Sequence, residues 1–566
     1  AFNSVLNGDG GADSLTATSG TGNITFDGDI GGTTMINTLD ITSADQVALA
    51  NVGNTGTNAA GVVGTFDVNS TTDISASGST LSFGGNTTFT SAAFNLTNAG
   101  NVTLKTTGDS LAFNTGDITL SAATGLTVDP TTGQFDANNI TGAGTTDLDF
   151  DTANANISTG DLASVGSVNF DAGTASVSVG AVTSTNEDGV TLNGDSGLVV
   201  GGDITTVDGN VALSTNNNIQ LGGNIDTTNA GAADAGTITL GSSVVLTDNV
   251  TLRTDGNTAD EPITISNNIN DNSAGNHALT FETGAEAVNI TGGSIGGGTA
   301  IGQLTVNSAS FNNTTGNTIT TVTTGGGNGN VAITTSGDTD IEGTLNAAGS
   351  LTISGDNVDI DADTDAVGIN VTGASSIDLD SVGGNARNID ANGGNITLLG
   401  NAIGIDTGAT LLSTGSGGGA ATLTIAGNDA SDTIGIGNGA TGTLKLTEGE
   451  LLTLDNNTMN KIIIGQNGTQ SGAIDIDDSA GDSDIILTTD AGVELEINTS
   501  GGITLNSDIN TNAGDVDLNS NVRVTGNRII STGNGATAAG NIEIIGVDAT
   551  AASTLTLTAD GTGSNG

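Results

Sequence analysis

The 566 residues include 90 Gly, 2 Pro, 12 Phe and no Cys, Trp or Tyr, and 62 acidic residues against 7 basic ones give a formal charge of −55. Those numbers exclude a disulfide framework or thiolate metal site, a thick aromatic core and a nucleic-acid partner whose phosphates need neutralising. Asp supplies 52 of the acids and Glu 10. Asp suits turns, where its carboxylate bonds nearby backbone, whereas Glu and Lys favour helices. No apolar run approaches the roughly 20 residues of a membrane helix, so no membrane insertion is expected. The chain opens at Ala1 without an initiator Met, the expectation being a removed leader or a section of something longer.

Along the chain one pattern recurs: a turn residue, then apolar–polar–apolar, then more turn residues. It begins with Asn23-Ile24-Thr25-Phe26 and continues through Asn101-Val102-Thr103-Leu104 and Asp117-Ile118-Thr119-Leu120. Later copies are Thr237-Ile238-Thr239-Leu240, Asn395-Ile396-Thr397-Leu398 and Asn541-Ile542-Glu543-Ile544. Alternation of this kind marks short strands with one buried face and argues against disorder despite the charge. Gly, Asn and Asp supply the corners. Strands follow one another without crossover helices, which excludes an α/β sheet. Self-similar short strands over hundreds of residues predict a solenoid.

The expected fold is all-β: a long right-handed parallel β-solenoid, or β-helix, with short strands and Gly/Asn/Asp turns. At roughly 20–25 residues per coil it would hold on the order of 25 coils. Residues 1–566 are read as one continuous solenoid, with candidate soft boundaries near 296–298, 325–330 and 415–419. Ten of the 12 Phe precede residue 171, and only Phe281 and Phe311 follow. A Phe-stacked part is therefore expected over 1–311 and a Phe-free part over 312–566, with the rings stacked inside.

Candidate chemistry is sparse. His277 is the only histidine, so one chain holds no His triad or His-rich metal site; a corner or surface position is expected. The acidic groups Asp359/Asp361/Asp363/Asp365, Asp475/Asp477/Asp478 and Asp482/Asp484 place carboxylates two apart, on one strand face. They read as solvated faces or cation sites; a sugar-cleaving pair would want aromatic platforms, and no catalytic or cofactor-binding residue is assigned. Gly8-Asp9-Gly10-Gly11-Ala12-Asp13-Ser14-Leu15 resembles the calcium-binding RTX nonapeptide GGxGxDxUx. Gly427-Asn428-Asp429-Ala430-Ser431-Asp432-Thr433-Ile434 resembles it too. Asp9, Asp13, Asp429 and Asp432 are thus the candidate Ca²⁺ ligands, in keeping with the preference of that ion for carboxylate and carbonyl oxygen. No cofactor is required.

The Gly22–Phe26 type of strand and Asp40-Ile41-Thr42-Ser43-Ala44-Asp45-Gln46-Val47 resemble the β-helical passenger regions of large bacterial surface proteins. The nearest in style are filamentous-haemagglutinin-like adhesins and autotransporter β-solenoids. That resemblance implies a secreted, extracellular chain at the cell surface. The function expected is non-enzymatic: a structural subunit that forms or decorates a filament by head-to-tail stacking on itself. The alternative is an adhesin stalk or passenger that meets other cell-surface components, cells or glycans. A polysaccharide-degrading enzyme ranks below both. The late basic residues Lys445, Lys461, Arg523 and Arg528 would meet acids near Asp9, Asp13, Asp27 or Asp29 of a neighbouring subunit, or stand solvated.

Overall fold

The computed structural model describes the chain except for residues 10–11, 57–58, 108, 122–123, 131–132, 186, 229–233, 258, 381–386, 407, 415–420, 455–457, 467, 480–483, 488–491, 534–538, 550–551 and 560–566. At 115, 130, 452–453 and 484–487 it describes the backbone alone. The chain is 53% strand and 1% helix, and its strands form a parallel β-solenoid of about 20 turns. The coils group into two compact units, Ala1–Asn272 with His277–Glu286, and Ser273–Asn276 with Ala287–Gly566. Of the candidate soft boundaries, 415–419 lies outside the described residues.

After the long strands Thr38–Leu49 and Phe66–Ala76, the coils of the first unit lay down three short strands each. One coil runs Val168–Asp171, Ser176–Val179 and Val182–Ser184, and the next runs Val190–Asn193, Gly197–Val200 and Ile204–Thr205. Alternate residues of each strand point inward and meet their register partners one coil on. Leu81, Leu104, Val128, Phe150, Phe170, Leu192, Leu213 and Leu240 form one such interior row. A second face contributes Ile118, Ile140, Leu162, Val182, Ile204, Ile225, Leu252 and Phe281. Coil on coil, the Phe rings stack inside: Phe150 and Phe170 lie 4.3 Å apart at 8°, and Phe89 and Phe113 lie 5.0 Å apart.

Two local devices turn the corners. Gly173 sits at φ 53°, and a Cβ there would fall 1.9 Å from the Ala153 carbonyl oxygen one coil below. Backbone approach of that kind leaves room only for Gly. Thr is the second device: buried Thr152 and Thr206 turn inward and donate to the carbonyls of Ala155 and Gly209, both at 2.6 Å. Thr283 and Thr511 repeat the bond to Glu286 and Gly514, also at 2.6 Å. A hydroxyl can thus be buried because its proton has an acceptor three residues on.

In the second unit the row Leu304, Val331, Leu351, Ile369, Ile396, Leu423, Ile462, Leu495, Val516 and Ile542 runs through successive coils. Coil length varies here. Asn357 bonds Asp338 across 19 residues, whereas Thr422 bonds Asn395 across 27. Between Leu423 and Ile462 the coil is enlarged further. It carries the paired strands Ile434–Ile436 and Leu444–Leu446 and the helix Glu448–Thr453, whose capping box joins Thr447 and Glu450. Enlarged coils explain why about 20 turns replace the 25 expected from a uniform coil.

Candidate functional site

A stacked solenoid with this charge must place its Asp carboxylates apart, bond them, or gather cations. Several are bonded to the backbone of the next coil. Asp147 Oδ1 accepts the N–H of Ser167 at 2.9 Å, Asp161 Oδ1 that of Ala181 at 2.8 Å, and Asp203 Oδ1 that of Asn224 at 2.7 Å. In the second unit Asp508 takes Ile529 N–H at 2.8 Å and Asp515 takes Asn541 N–H at 2.6 Å. Asn side chains add cross-coil bonds to carboxylates, as Asn169 does to Asp149 and Asn193 to Asp171.

The calcium candidates follow the same logic. Asp13 Oδ2 accepts the N–H of Asp9 at 2.7 Å, and Asp432 Oδ2 accepts that of Asp429 at 2.7 Å. In both places a carboxylate closes its own turn just ahead of a strand. Gly10 and Gly11 lie outside the described residues. The two turns belong to different units.

One region departs from the rule. Asp340, Asp359 and Asp378 are register partners on three consecutive coils. Two residues on from each stands another acid: Glu342, Asp361 and Asp380. The result is a block of carboxylates about 4.8 Å apart from coil to coil. Oδ1 of Asp359 and of Asp361 are closed off from solvent and have no hydrogen-bond partner. Burial, followed by the charges of Asp361, Asp378, Asp340 and Asp380, pushes the Asp359 carboxyl up to about 7. Burial and neighbouring acids also raise Asp340, Asp361 and Asp378. Such a block reaches neutrality by holding protons or by drawing cations from solvent. Asp363 and Asp365 belong elsewhere: Asp363 accepts the Asn388 N–H at 3.0 Å, and Asp365 faces Asp390 on the next coil.

A second carboxylate group carries its own cation. Glu494, Glu496 and Asp517 bring carboxylate oxygens within 4.8 Å of one another. Lys461 Nζ reaches Glu494 Oε1 at 2.6 Å and also bonds Glu496 Oε2. Burial lowers the lysine pKa, but the bonds to Glu494 and Glu496 outweigh it and the net shift is upward. Burial pushes Asp517 up to about 6, aided by its bond to Glu494 and by the charges of Glu494 and Glu543. Nothing in local spacing singles out this group. Its signal is the coil register that sets Lys461 on Glu494 and Glu496 on Asp517. Lys461 is thus tied within its own unit. Lys445 Nζ bonds the Asn438 carbonyl at 3.0 Å, Arg528 Nε that of Thr525 at 2.9 Å, and Arg523 is exposed.

Asp475 accepts from Asn506 at 3.1 Å, Asp477 from the Ser479 N–H at 2.8 Å, and buried Asp478 from the Asn438 N–H at 2.8 Å. Asp482 and the side chain of Asp484 lie outside what is described. His277 sits at a corner, its Nδ1 2.7 Å from Oδ1 of buried Asp271. Among the described residues no helix is long and apolar enough to cross a membrane.

Over the last described strands the interior rows become exposed. Val547 continues the row of Ile503 and Val522, and Leu557 that of Ile509 and Ile530. Val522 and Ile530 are fully buried, whereas Val547 and Leu557 are each 51% exposed. No family model, curated protein or solved structure matches the chain.

Proposed function

We propose that this β-helical repeat protein is an extracellular, non-enzymatic structural subunit that forms or decorates a cell-surface filament by end-to-end stacking. The observation that carries this reading is the open coil face. Inward-facing Val547 and Leu557 stand half in solvent. Among the described residues, strands Ile542–Ala549 and Thr554–Thr558 pair with the preceding coil on one side only. An apolar row beside a free strand edge is a template for another strand. A second copy supplies one through its own first coils, where Phe2 and Val5 are exposed.

Sedimentation velocity over a wide concentration range tests this. Assembly is expected to grow with concentration and to stop in the double variant Val547→Lys, Leu557→Lys, whose circular dichroism stays unchanged. A wild-type chain that remains monomeric throughout overturns self-assembly and leaves those faces to further coils of a longer chain.

The resemblance to haemagglutinin-like and autotransporter passengers supports the surface setting. A second reading, an adhesin stalk or passenger, is favoured by the polar cavity described next. Calcium enters either reading as a counter-ion for the carboxylate blocks, with no cofactor required.

A further inference from the structure

Strand Glu494–Asn498 alternates inward Leu495 and Ile497 with outward Glu494, Glu496 and Asn498. Outward residues of a solenoid normally meet water. Here Glu496 and Asn498 are buried, Asn498 to 2% exposure. Gly465 and the chain from Gly468 to Gly472 lie over them. Gly465 makes the required turn at φ 85°, where a Cβ would fall 2.2 Å from the Asn498 carbonyl oxygen. The cover is anchored by Ser500 N–H on the Gln470 carbonyl at 2.8 Å and by Thr499 Oγ1 on that of Gly472 at 2.5 Å.

Between this cover and the strands is a cavity of about 430 Å³, lined by Gln470, Asn498, Thr499, Ser500, Asn519 and Ile545. That is the size of a small-molecule site. Among the described residues no charged side chain lines it. Glu496 stands behind the wall, where Lys461 Nζ, Asn498 Nδ2 at 2.6 Å and Asn519 hold its charge.

The wall presents hydroxyl and amide groups. Thr499 Oγ1 and Ser500 Oγ donate to the Gly472 and Gln470 carbonyls, and Thr499 Oγ1 also accepts the Gly501 N–H at 2.8 Å. Asn519 Nδ2 donates to Asn498 Oδ1 at 2.9 Å, and Asn498 Nδ2 is taken by Glu496. Gln470 is 2% exposed. Its Nε2 donates to the Asp432 carbonyl at 2.5 Å, which fixes the amide orientation, and its Oε1 has no partner. An acceptor kept from both water and protein is rare in a folded chain.

We infer that this cavity is a binding site for a neutral sugar unit, one pyranose of a glycan. The O–H groups of such a ring both donate and accept, which suits a wall of hydroxyl and amide groups, and the Ile545 side chain, 69% exposed, offers an apolar surface to the C–H face of the ring. A cation would want carboxylates in the wall, and among the described residues none lines it.

Saturation-transfer NMR with glucose, galactose, mannose and N-acetylglucosamine, and with their disaccharides, tests the site on the full chain at a concentration below any assembly. At least one neutral sugar is expected to receive saturation. The transfer should fall about tenfold or more in Ile545→Trp, which fills the cavity from an exposed position, and in Gln470→Leu, with circular dichroism unchanged. The disaccharide arm separates a free monosaccharide from a unit within a chain. No transfer to any neutral sugar, equal transfer in Ile545→Trp, or binding of ammonium or a short peptide in place of sugars overturns the inference. Because assembly is read separately by sedimentation, either proposal can fail alone.

Discussion

Lys461 Nζ lies 2.6 Å from Oε1 of Glu494, its register partner on the next coil. Lys105 stands likewise on Asp129 at 2.9 Å, and Arg253 is set in register between Asp226 and Glu282. A cation in such a column separates carboxylates that would otherwise face each other one coil apart. Removing it leaves like charges uncompensated in a half-buried site. Lys461→Met should therefore destabilise the coils around Glu494 by on the order of 1–3 kcal/mol, after allowing for solvent screening. Hydrogen exchange of the strand Glu494–Asn498 measures it. Adding Glu494→Gln and Glu496→Gln should recover most of the loss; no recovery would mean that packing of the lysine stem, not charge, is responsible.

The block around Asp359 predicts an opposite pH response from that of an ordinary salt-bridged acid. A carboxyl whose pKa is raised by folding binds its proton more tightly in the folded state. Its contribution is complete below the ordinary carboxyl value of 3.8 and is lost as the pH rises through about 7. Exchange protection in strands Leu351–Ile360 and Ile369–Leu379 should fall between about pH 4 and about pH 8. Asp359→Asn, which is neutral at every pH, should flatten most of that slope. Glu496 runs the other way: burial raises it, but the bonds from Lys461 and Asn498 bring it below its usual value. Its contribution is present above the unfolded pKa and is lost as the pH falls through the lower folded one. A slope unchanged in Asp359→Asn would assign the effect to other groups.

The strands were legible because their inward residues alternate without exception over short runs such as Ile118-Thr119-Leu120 and Ile396-Thr397-Leu398. The corners were legible because Gly, Asn and Asp gather there. Contacts that depend on coil length were not. Asp340-Ile341-Glu342, Asp359-Ile360-Asp361 and Asp378-Leu379-Asp380 recur at a spacing of 19 residues, the length of the coil there. That repeat is a usable signal for the acidic block, of which alternation within one strand marks only Asp359 and Asp361. Lys461 and Asp517 stand on coils of unequal length, so no fixed spacing connects them. The cavity behind Gln470 depends on how one long turn folds over its strand, which periodicity does not encode.

Asp caps should be separable from Asp as mere surface charge. Asp161 Oδ1 accepts the Ala181 N–H, so Asp161→Ala leaves that amide without its acceptor and should cost about 1 kcal/mol. Asp161→Asn keeps a carbonyl oxygen in place and should cost less. Asp429→Ala, whose carboxylate is not the one that closes its turn, should be nearly neutral. Denaturant titration with a local probe near Ala181 ranks the three. Equal effects of Asp161→Ala and Asp161→Asn would show that charge, not the bond, matters.

In the first unit the aromatic row sets the stability of its coils. Phe150 and Phe170 are fully buried and stacked at 4.3 Å, with Leu192 next in the row. Phe150→Ala should cost about 3–5 kcal/mol by leaving a cavity between neighbours that the backbone ladder holds apart. Phe150→Leu should cost less, because Leu occupies the same row at Leu104 and Leu192 without strain. Exchange protection should fall over Asp147–Asp151 and Val168–Asp171 and stay unchanged near Leu518, since the units of a solenoid are stabilised mainly by nearest neighbours. A uniform loss along the whole chain would refute that local accounting.

The last prediction concerns cations and assembly. Arg523 is exposed, with Thr504 and Asp548 as its register neighbours, and Arg528 Nε is held by the Thr525 carbonyl. Both lie on strands next to the open face of the second unit, where Val547 and Leu557 are exposed. If a neighbouring subunit docks there, its acidic first coils, with Asp27 and Asp29, meet these two guanidinium groups. At physiological salt the Debye length is about 8 Å, so only charges close to the joint contribute. Arg523→Glu with Arg528→Glu should shorten the assemblies, and about 0.5 M salt should shorten those of the wild type. Millimolar Ca²⁺ should restore length in the double variant by binding between the acids now facing each other. Assemblies of equal length in every condition would eliminate charge pairing at the joint and leave strand-edge hydrogen bonds and the apolar rows as the cohesive interactions.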